Sequence, residues 1–321
     1  MIEQRISGDR AELLANVAEM YFLDNLTQAE ISRKIGVTRS MVSRMVDEAR
    51  RQGIVEISIR RPLLFDRDLQ NNLVKRFDLR DATVVISQNL DDNSRLLRRL
   101  GACGAYVLRE LLKPGIIIGV PWGTTVSAVV DAITQDSSIH PVVVQLVGAV
   151  GAHNVEYDGH GLVQRLAAKL GGEVYYLNAP FMVGSEEIVL SLIGNRGIRE
   201  TFNMGKKCEL AILGIGSVDI EHSSYFRAGY MSREVLEELQ SEGVVGGVCG
   251  IHFDLEGKIK AQDFQKKLIS ISTEDLRKIP LRMGVAGGIA KVRPLLGAIR
   301  AGLINILATD SITARELLLL S

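Results

Sequence analysis

The chain has 321 residues, of which 46% are hydrophobic and 24% are charged, and its formal net charge is zero. This is the composition of an ordinary globular protein of one or two domains, and it excludes a strongly basic or acidic protein. No apolar run reaches the roughly 18 residues that span a bilayer, and the charged N-terminus lacks a signal-peptide core, so we expect a cytoplasmic protein with no membrane partner. Cys103, Cys208 and Cys249 form no CxxC pair, which fits a reducing compartment.

The first 61 residues are predicted to form short helices. The segment "DRAELLANVAEMYFLDN" repeats apolar residues at helical spacing, which predicts a first helix. Thr27 and Glu30 have the spacing of a capping box at the start of a second helix, and Gly36 is expected to end it. Thr38 is expected to cap a third helix that ends at Gly53. The residues expected to face inward are Leu13, Leu14, Val17, Met20 and Tyr21 in the first helix and Met41, Val42 and Met45 in the third.

Two helices joined by a short turn at Gly36 have the proportions of a helix-turn-helix, and "IVEISI" after them is expected to be a strand, in the place of a small wing. Between Arg33 and Arg51 six cationic residues stand against two acidic ones, so positive charge is concentrated where a recognition helix would contact DNA. The alternative is a helical module that docks another protein. The residues that we expect to contact double-stranded DNA are Thr27, Gln28, Thr38, Arg39, Ser40, Ser43 and Arg44.

Residues 62–80 are predicted to form a connecting helix, and from residue 81 strands alternate with helices. The expected strands are Thr83–Ile86, Ile116–Val120, Val142–Leu146, Val174–Leu177, Leu210–Leu213, Met283–Val285 and Asn305–Leu307. Such alternation predicts an α/β domain over residues 81–321, with a mainly parallel, Rossmann-like sheet between two layers of helices. Ligands of such sheets bind beyond the carboxyl ends of the strands.

The segment "IGVPWGTTVSAVV" runs from an apolar strand through Gly123, Thr124 and Thr125 into an apolar-periodic helix. Free backbone amides at a helix start, the positive end of the helix dipole and two hydroxyls form a cradle for an anion. The alternative is a glycine turn in which a threonine only caps the helix. A similar turn occurs in "GVAGGIAK", where Gly287 and Gly288 permit close backbone approach and Lys291 follows one helical turn later.

The segment "LTQAEISRKIGVTRSMVSRMVDEARRQGIVEISI" and five blocks that follow it along the chain resemble the sequences of one protein family. The five blocks are "IGVPWGTTV", "VVQLVGAVG", "AILGIGSV", "GVVGGVCGIHFDLEGK" and "RMGVAGGIAKVRPLLGAIRAGLINILATDSITARELL". The sequence resembles the SorC family of sugar-responsive bacterial transcription regulators. The resemblance implies an effector domain similar in fold to glucosamine-phosphate deaminase and ribose-phosphate isomerase, a phosphorylated sugar or polyol as effector, and a homo-oligomer, dimer or tetramer.

The resemblance also implies which residues contact the effector. Gly123, Thr124, Thr125, Gly287, Gly288 and Lys291 would hold the phosphate, with a solvated surface lysine as the alternative for Lys291. Gln145 matches a pocket glutamine, although a backbone partner would equally satisfy it. Trp122 would form a wall of the pocket or part of the core, and Gly216 would lie near the pocket.

Gly247 departs from the family, because many relatives have an acidic residue there that is expected to hold sugar hydroxyls. Asp254 could take its place or could only cap a turn at Gly257. The segment "GAHNVEYDGH" is expected to be a loop over the ligand with contact from His153, and its spacing does not favour a metal site.

An isomerase or deaminase with an accessory helical head is the main alternative, and a scaffold that binds neither DNA nor ligand is a further one. Catalysis on this fold would need an acid–base pair, but the acidic position holds Gly247 and Cys249 has no evident adjacent histidine. We therefore expect a regulator without enzymatic activity, cofactor or metal.

Overall fold

The chain divides into two units, Met1–Pro62 and Leu63–Ser321. The computed structural model describes residues 2–55, 62–87, 93–150 and 157–320, with side chains from Arg10 onward. The strands are β1 (Asp81–Val85), β2 (Ile117–Val120), β3 (Val142–Gln145), β4 (Glu173–Tyr175), β5 (Leu210–Gly214), β6 (Gly216–Ser217), β7 (Val244–Val248), β8 (Ile251–Asp254), β9 (Ile259–Lys260), β10 (Leu281–Val285) and β11 (Ile306–Asp310). The helices are α1 (Ile2–Phe22), α2 (Gln28–Ile35), α3 (Arg39–Arg51), α4 (Arg67–Phe77), α5 (Asn93–Leu111), α6 (Thr124–Ala132), α7 (Gly159–Leu170), α8 (Glu186–Gly194), α9 (Arg196–Gly205), α10 (Ser224–Arg227), α11 (Arg233–Ser241), α12 (Gln262–Gln265), α13 (Thr273–Lys278), α14 (Val292–Arg300) and α15 (Ser311–Leu320), with a 3-10 turn at Ile289–Lys291.

In the smaller unit, α1, α2 and α3 pack around one apolar core. The predicted capping box is present, because Thr27 Oγ1 accepts from the amide of Glu30 and Glu30 Oε2 accepts from the amide of Thr27 at 2.8 Å. Gly36 ends α2 in the left-handed conformation with φ 72°, and Thr38 caps α3. The buried residues are Leu14, Val17, Ala18, Ile31, Val42, Met45, Val46 and Ala49.

Two of the expected inward-facing residues of the smaller unit are exposed. Met41 is 46% exposed and Leu13 is 38% exposed. The buried face of α3 runs through Val42, Met45, Val46 and Ala49, and a residue next to that series is turned about 100° away from it. Residues 56–59 of the expected wing strand lie outside the described residues.

In the larger unit, the described strands include a seven-stranded sheet in the order β1-β11-β10-β5-β2-β3-β4 with parallel pairing throughout. It contains all seven strands expected from the sequence. Successive residues point to opposite faces, so Ile212 enters the core under α5, α6 and α7, while Leu213 enters the core under α14 and α15. The helix expected at residues 62–80 is α4, and its Leu73 is fully buried in the second of these cores.

A second, antiparallel sheet with strand order β6-β7-β8-β9 was not expected from the sequence. Its strands are short, and β7 reads "VVGGV", so it lacks the apolar–polar alternation of an exposed sheet. The β7–β8 turn is formed by Cys249 at φ 52° and Gly250 at φ 82°. Cysteine is unusual at a positive φ, which explains why the turn is hard to recognise.

The strand order places a switch point between β2 and β5, because the chain continues from β2 to β3 on one side and returns to β5 on the other. At such a point the loops that leave neighbouring strands diverge and open a crevice at the carboxyl end of the sheet. The fold therefore places the turns after β2, β5 and β10 around one space.

Candidate functional site

A cavity of about 780 Å³ lies at the carboxyl ends of β2, β5 and β10. The predicted effector residues that line it are Trp122, Gly123, Thr124, Thr125, Gly216, Gly247, Gly287, Gly288 and Lys291. Residues of the cavity wall that were not predicted include Asn93, Leu96, Leu100, Gly214, His222, Ser224, Tyr225, Arg227 and Cys249. The turns predicted from two separate sequence blocks thus meet at one site.

The turn between β2 and α6 presents backbone amides to the cavity. Gly123 has φ 145° and ψ 148°, a conformation that an L side chain rarely adopts, and its amide donates to the carbonyl of Tyr157 at 3.0 Å. No side chain caps α6 at this residue. The amides of the first turn, which include those of Thr124 and Thr125, therefore remain available to an anion, together with the helix dipole.

Asp310, a buried residue at the end of β11, holds the turn after β10 in place through hydrogen bonds. Its carboxylate accepts from the amide of Gly288 at 3.1 Å and from Thr313 Oγ1 at 2.6 Å. The other carboxylate oxygen accepts from the amides of Ile312 and Thr313, each at 3.0 Å. A Cβ on Gly287 would lie 2.3 Å from the Asp310 carboxylate, so glycine is required for this approach. Asp310 was not predicted as a site residue, although it follows a strand in the block "ILATDS".

Lys291 places its ammonium in a desolvated, cationic part of the cavity. Burial is the largest cause that lowers its pKa to about 8, and the positive charge of Arg227 lowers it further, whereas Asp219 acts in the opposite direction. Part of the residue is exposed, but among the described residues its ammonium has no hydrogen bond or salt bridge. An unpaired cation that is partly removed from water favours the binding of an anion.

The segment between β6 and α11 supplies three polar side chains that sequence reasoning missed. Arg227 and His222 line the cavity, and His222 Nδ1 lies 2.8 Å from Asp219 Oδ1. This hydrogen bond is the main cause that lowers the pKa of Asp219. The stretch "DIEHSSYFR" after two strands is rich in such residues, and this was the available signal. It has no glycine motif, and its position beside the turns after β2 and β10 depends on tertiary structure.

Aromatic residues form one side of the cavity. The ring of Trp122 lies edge-on to those of Tyr225 and Phe181, with centroid distances of 5.5 Å and 6.0 Å. Tyr225 and Phe181 are stacked at 5.7 Å. Trp122 is partly buried, so its side chain both lines the cavity and packs against the core. The aromatic wall offers an apolar surface opposite the polar turns.

Two predicted effector residues, Gln145 and Asp254, do not line the cavity. Gln145 is buried, and its amide is used internally, because it donates to the carbonyl of Val147 at 2.8 Å and accepts from the amide of Leu177 at 3.1 Å. Asp254 accepts from the amide of Lys258 at 2.8 Å and so closes the β8–β9 turn. His153 lies outside the described residues.

The histidine-rich segment contains a helix cap where its residues are described. Asp158 caps α7 and accepts from the amide of Val150 at 2.9 Å, while His160 stacks on Tyr176 at 4.5 Å. Within the described ranges, no cluster of three or more histidine, cysteine or acidic residues could hold a metal ion. Likewise, no described helix has the length and hydropathy needed to cross a membrane.

In the smaller unit, the amino-terminal half of α3 presents polar side chains to solvent. Thr38, Arg39, Ser40 and Arg44 are exposed and Ser43 is half-buried. Among the described residues, the guanidinium groups of Arg39 and Arg44 have no hydrogen bond or salt bridge, in contrast to Arg10, which pairs with Glu48 at 2.7 Å. The guanidinium groups of Arg39 and Arg44, on the exposed surface of α3, are thus available to a binding partner.

A second cavity, of about 470 Å³, lies within the smaller unit between the end of α1, the start of α2 and the start of α3. Its lining includes Thr27, Gln28 and Arg39, three of the residues predicted to contact DNA. The capped start of α2 and the unpaired Arg39 therefore face one polar depression.

Comparison with known proteins gives the family. Residues 61–319 match the family described as "Putative sugar-binding domain". The sorbitol operon regulator of Klebsiella pneumoniae is 30% identical over 97% of this chain and 99% of its own length. The deoxyribonucleoside regulator of Bacillus subtilis (strain 168) is 28% identical over 96% of this chain and 98% of its own length. The crystal structure of the full-length Klebsiella regulator SorC superposes with a TM-score of 0.73 at 29% identity, over 97% of this chain and 99% of that one.

The chain belongs to the SorC family of sugar-responsive transcription regulators. The resemblance expected from the sequence blocks is therefore confirmed. The mixed α/β architecture with a mostly parallel sheet is also the architecture of this SorC-family structure. The cavity lies entirely within the residues that match the sugar-binding domain.

Proposed function

We propose that this SorC-family chain is a transcription regulator that binds operator DNA through its smaller unit and changes its operator affinity when a small phosphorylated sugar or polyol enters the cavity of the larger unit. The operon would be one of carbohydrate metabolism. The observation that carries the proposal is the meeting of Lys291, Arg227 and the uncapped start of α6 at one cavity.

Features of the smaller unit that support a helix-turn-helix head are the turn between α2 and α3 and the contacts across it. Gly36 makes a sharp left-handed turn between α2 and α3, and Ser32 Oγ donates to the carbonyl of Val37 at 2.6 Å across that turn. With α3 as recognition helix, Arg39 and Arg44 would reach phosphates or guanine edges, and Ser40 and Ser43 would lie beside them. Thr27 and Gln28 would position α2 on the DNA backbone, because a helix start binds phosphate readily.

The cavity of the larger unit suits a phosphate with an organic group attached. Backbone amides and hydroxyls at Thr124 and Thr125 would bind phosphate oxygens, and Lys291 and Arg227 would neutralise their charge. The aromatic wall at Trp122 and Tyr225 would pack against the carbon chain of the ligand. Three relatives are named as a sorbitol operon regulator, a deoxyribonucleoside regulator and an erythritol catabolism regulatory protein, which supports a sugar or polyol as the organic group.

In this proposal the cavity binds its ligand without catalysing a reaction. Among the described residues that line the cavity there is no carboxylate, and burial raises the pKa of the Cys249 thiol to about 12, so Cys249 is protonated at neutral pH. The pair formed by His222 and Asp219 is about half exposed, with side-chain exposures of 43% and 58%. We assign that pair to holding the ligand, since a general base is usually more enclosed.

The response would be a population shift in a homo-oligomer, dimer or tetramer. A ligand changes operator affinity only if it binds one arrangement of the oligomer more tightly than another. Self-association is supported by exposed apolar side chains on α8, where Ile188 is 46% exposed and Leu190 is 64% exposed. In fold, the larger unit would be related to glucosamine-phosphate deaminase and ribose-phosphate isomerase, as the family resemblance implies.

Fluorescence anisotropy with DNA from upstream of the protein's own coding sequence tests the proposal. We expect the full-length chain to bind a site there, and the double variant Arg39→Ala/Arg44→Ala to bind it about 10- to 100-fold more weakly. A matched control is Arg109→Ala/Lys266→Ala, which removes two exposed cations from the larger unit. Equal DNA affinity of the wild type and the double variant would overturn the DNA half of the proposal, and turnover of a sugar phosphate by the purified chain would overturn binding without catalysis.

A further inference from the structure

His252 in β8 is a buried imidazole without a polar partner. The side chain is 0% exposed, and neither Nδ1 nor Nε2 makes a hydrogen bond of normal geometry with the described residues. Burial lowers the pKa of His252 to about 4, and a weak contact with the backbone of Gly250 only partly opposes this effect. The ring is therefore neutral at pH 7, with one donor and one acceptor, and both remain unsatisfied.

The imidazole lies directly behind the cavity wall at Gly247. His252 and Gly247 are opposite one another in the antiparallel pair β7–β8, so their side-chain positions share one face of the sheet. A Cβ on Gly247 would lie 3.2 Å from Cδ2 and 3.4 Å from Nε2 of His252. Gly247 lines the cavity, and so does Tyr225, whose ring lies 5.7 Å from the imidazole. The imidazole is fully covered, and the cavity-lining residues next to it are Gly247 and Tyr225.

The glycine is what makes this arrangement distinctive. An acidic side chain at this position would lie against Cδ2 and Nε2 of His252 and would itself be a partner for the ring. With Gly247 no side chain is present there, and both nitrogens of the imidazole are without a partner among the described residues.

We propose that His252 is a specificity-determining residue of the effector site, and that it binds a hydroxyl of the sugar or polyol end of the ligand through the gap at Gly247. This inference rests on the proposed function. A hydroxyl both donates and accepts, so it can pair with either neutral tautomer of the imidazole. The phosphate end is held elsewhere, at Lys291 and at the start of α6.

The covered position of the ring links binding to movement. His252 is fully enclosed in the unliganded chain, so contact requires a small rearrangement of Tyr225 or of the β7–β8 hairpin. The hydrogen bond then exists only in the rearranged state and stabilises it relative to the unliganded one. Cys249 in the hairpin turn has φ 52°, and such a strained residue is compatible with a segment that has two arrangements.

The test compares two kinds of probe by calorimetry on the full-length chain. Inorganic phosphate reports the phosphate site alone, and D-sorbitol 6-phosphate, D-ribose 5-phosphate and 2-deoxy-D-ribose 5-phosphate add hydroxyl-bearing carbon chains. We expect at least one sugar or polyol phosphate to bind the wild type more tightly than inorganic phosphate. His252→Phe should weaken that ligand roughly tenfold, the size of one hydrogen bond, and should change the affinity for inorganic phosphate less than about twofold.

Two further variants make the comparison specific. His252→Gln keeps a donor and an acceptor, so we expect it to retain part of the preference for the sugar phosphate. His140→Phe is the matched control. His140 is exposed and lies just before β3, at the amino-terminal end of the parallel strands and away from the cavity, so we expect this variant to leave both affinities unchanged. Equal losses for both probes in His252→Phe, or no loss for either, would overturn the role of His252.

A spectroscopic measurement on the wild type does not depend on the folding of any variant. The chain has five histidines, so ring ¹⁵N signals from ¹⁵N-histidine-labelled protein are few enough to resolve. The His252 ring is identified as one that stays neutral at pH 5, because burial lowers its pKa to about 4. Its signals should shift when the sugar phosphate is added and should not shift with inorganic phosphate. Absence of any such shift despite measured sugar-phosphate binding would overturn the inference alone, whereas failure of every phosphate-bearing probe to bind would overturn the proposed function with it.

Discussion

The carboxylate of Asp310 accepts a hydrogen bond from the amide of Gly288 at 3.1 Å and thereby joins the end of β11 to the turn that precedes Lys291. The same carboxylate holds the first turn of α15 through Thr313. The buried carboxylate thus accepts four hydrogen bonds, and a side chain that also carries a donor could not accept all four. The position of the turn at Gly287 and Gly288 therefore depends on a residue that does not line the cavity.

We predict that Asp310→Asn destabilises the larger unit and weakens phosphate binding. The amide group would direct a donor at Gly288 or Thr313, where donors already stand, and one buried unsatisfied group costs about 1–3 kcal/mol. Urea denaturation measures the loss of stability and calorimetry with inorganic phosphate measures the loss of affinity. Asp136→Asn, in an exposed turn, is the control, and an effect there as large as at Asp310 would contradict the account.

Lys291→Met should stabilise the unliganded chain while removing phosphate binding. The substitution keeps the aliphatic length but removes a desolvated charge next to Arg227, and such a change commonly raises the free energy of unfolding by about 0.5–2 kcal/mol. Denaturation must be measured in a buffer without phosphate. Because the pKa is lowered to about 8 from 10.5, the wild type should gain stability as the pH rises between those values, and Lys291→Met should lack that gain. A variant less stable than the wild type at pH 7 would contradict the assignment.

Phosphate affinity should fall as the pH rises above about 8, where Lys291 loses its proton. The bound dianion favours the charged ammonium, so binding requires a proton that the free chain increasingly lacks at higher pH. Lys291→Arg keeps its charge throughout this range, and its affinity should stay level between about pH 8 and 10, where inorganic phosphate is largely the dianion. Calorimetry at several pH values measures both profiles. A wild-type profile that stays level across pH 8 would show that Lys291 does not contact the phosphate.

Gly247→Asp should change which ligand binds without changing DNA binding in the absence of ligand. A Cβ at this position lies 3.2 Å from Cδ2 of His252 and 3.3 Å from the carbonyl of Ile251, so the neighbours must move by a few tenths of an ångström. The new carboxylate would pair with His252 and replace it as the partner of effector hydroxyls. We expect the order of affinities within the sugar-phosphate series to change, with inorganic phosphate bound as before. An unchanged order would show that this part of the wall does not contact the ligand.

The parallel sheet and the glycine turns at the cavity could be predicted from the sequence because their signals are local. Each strand of the parallel sheet is a short apolar run, and Gly123, Gly287 and Gly288 mark turns that only glycine permits. Arg227 and Asp310 could not be placed at the site in this way, because each reaches it through the packing of separate elements. Gln145 illustrates the converse: its polar side chain after a buried strand suggested a ligand, but tertiary structure supplies Val147 and Leu177 as its partners.

The β7–β8 hairpin was beyond prediction for a different reason. Its turn residues Cys249 and Gly250 both have positive φ, and a cysteine gives no warning of this. The structure places Cys249 in the turn and His252 in β8, where His252 faces Gly247. A departure from the family pattern at Gly247 was visible in the sequence, but the imidazole behind it was not.

The central claim is that ligand binding in the larger unit changes DNA binding by the smaller one. The most direct measurement is the dissociation constant of the full-length chain for its own upstream DNA, titrated by anisotropy with and without each sugar and polyol phosphate. The account predicts that at least one of them changes this constant by about fivefold or more, and that Lys291→Met binds the same DNA without the response. If the ligand that calorimetry finds to bind the wild type leaves the DNA dissociation constant unchanged, or if Lys291→Met responds as the wild type does, the claim is contradicted.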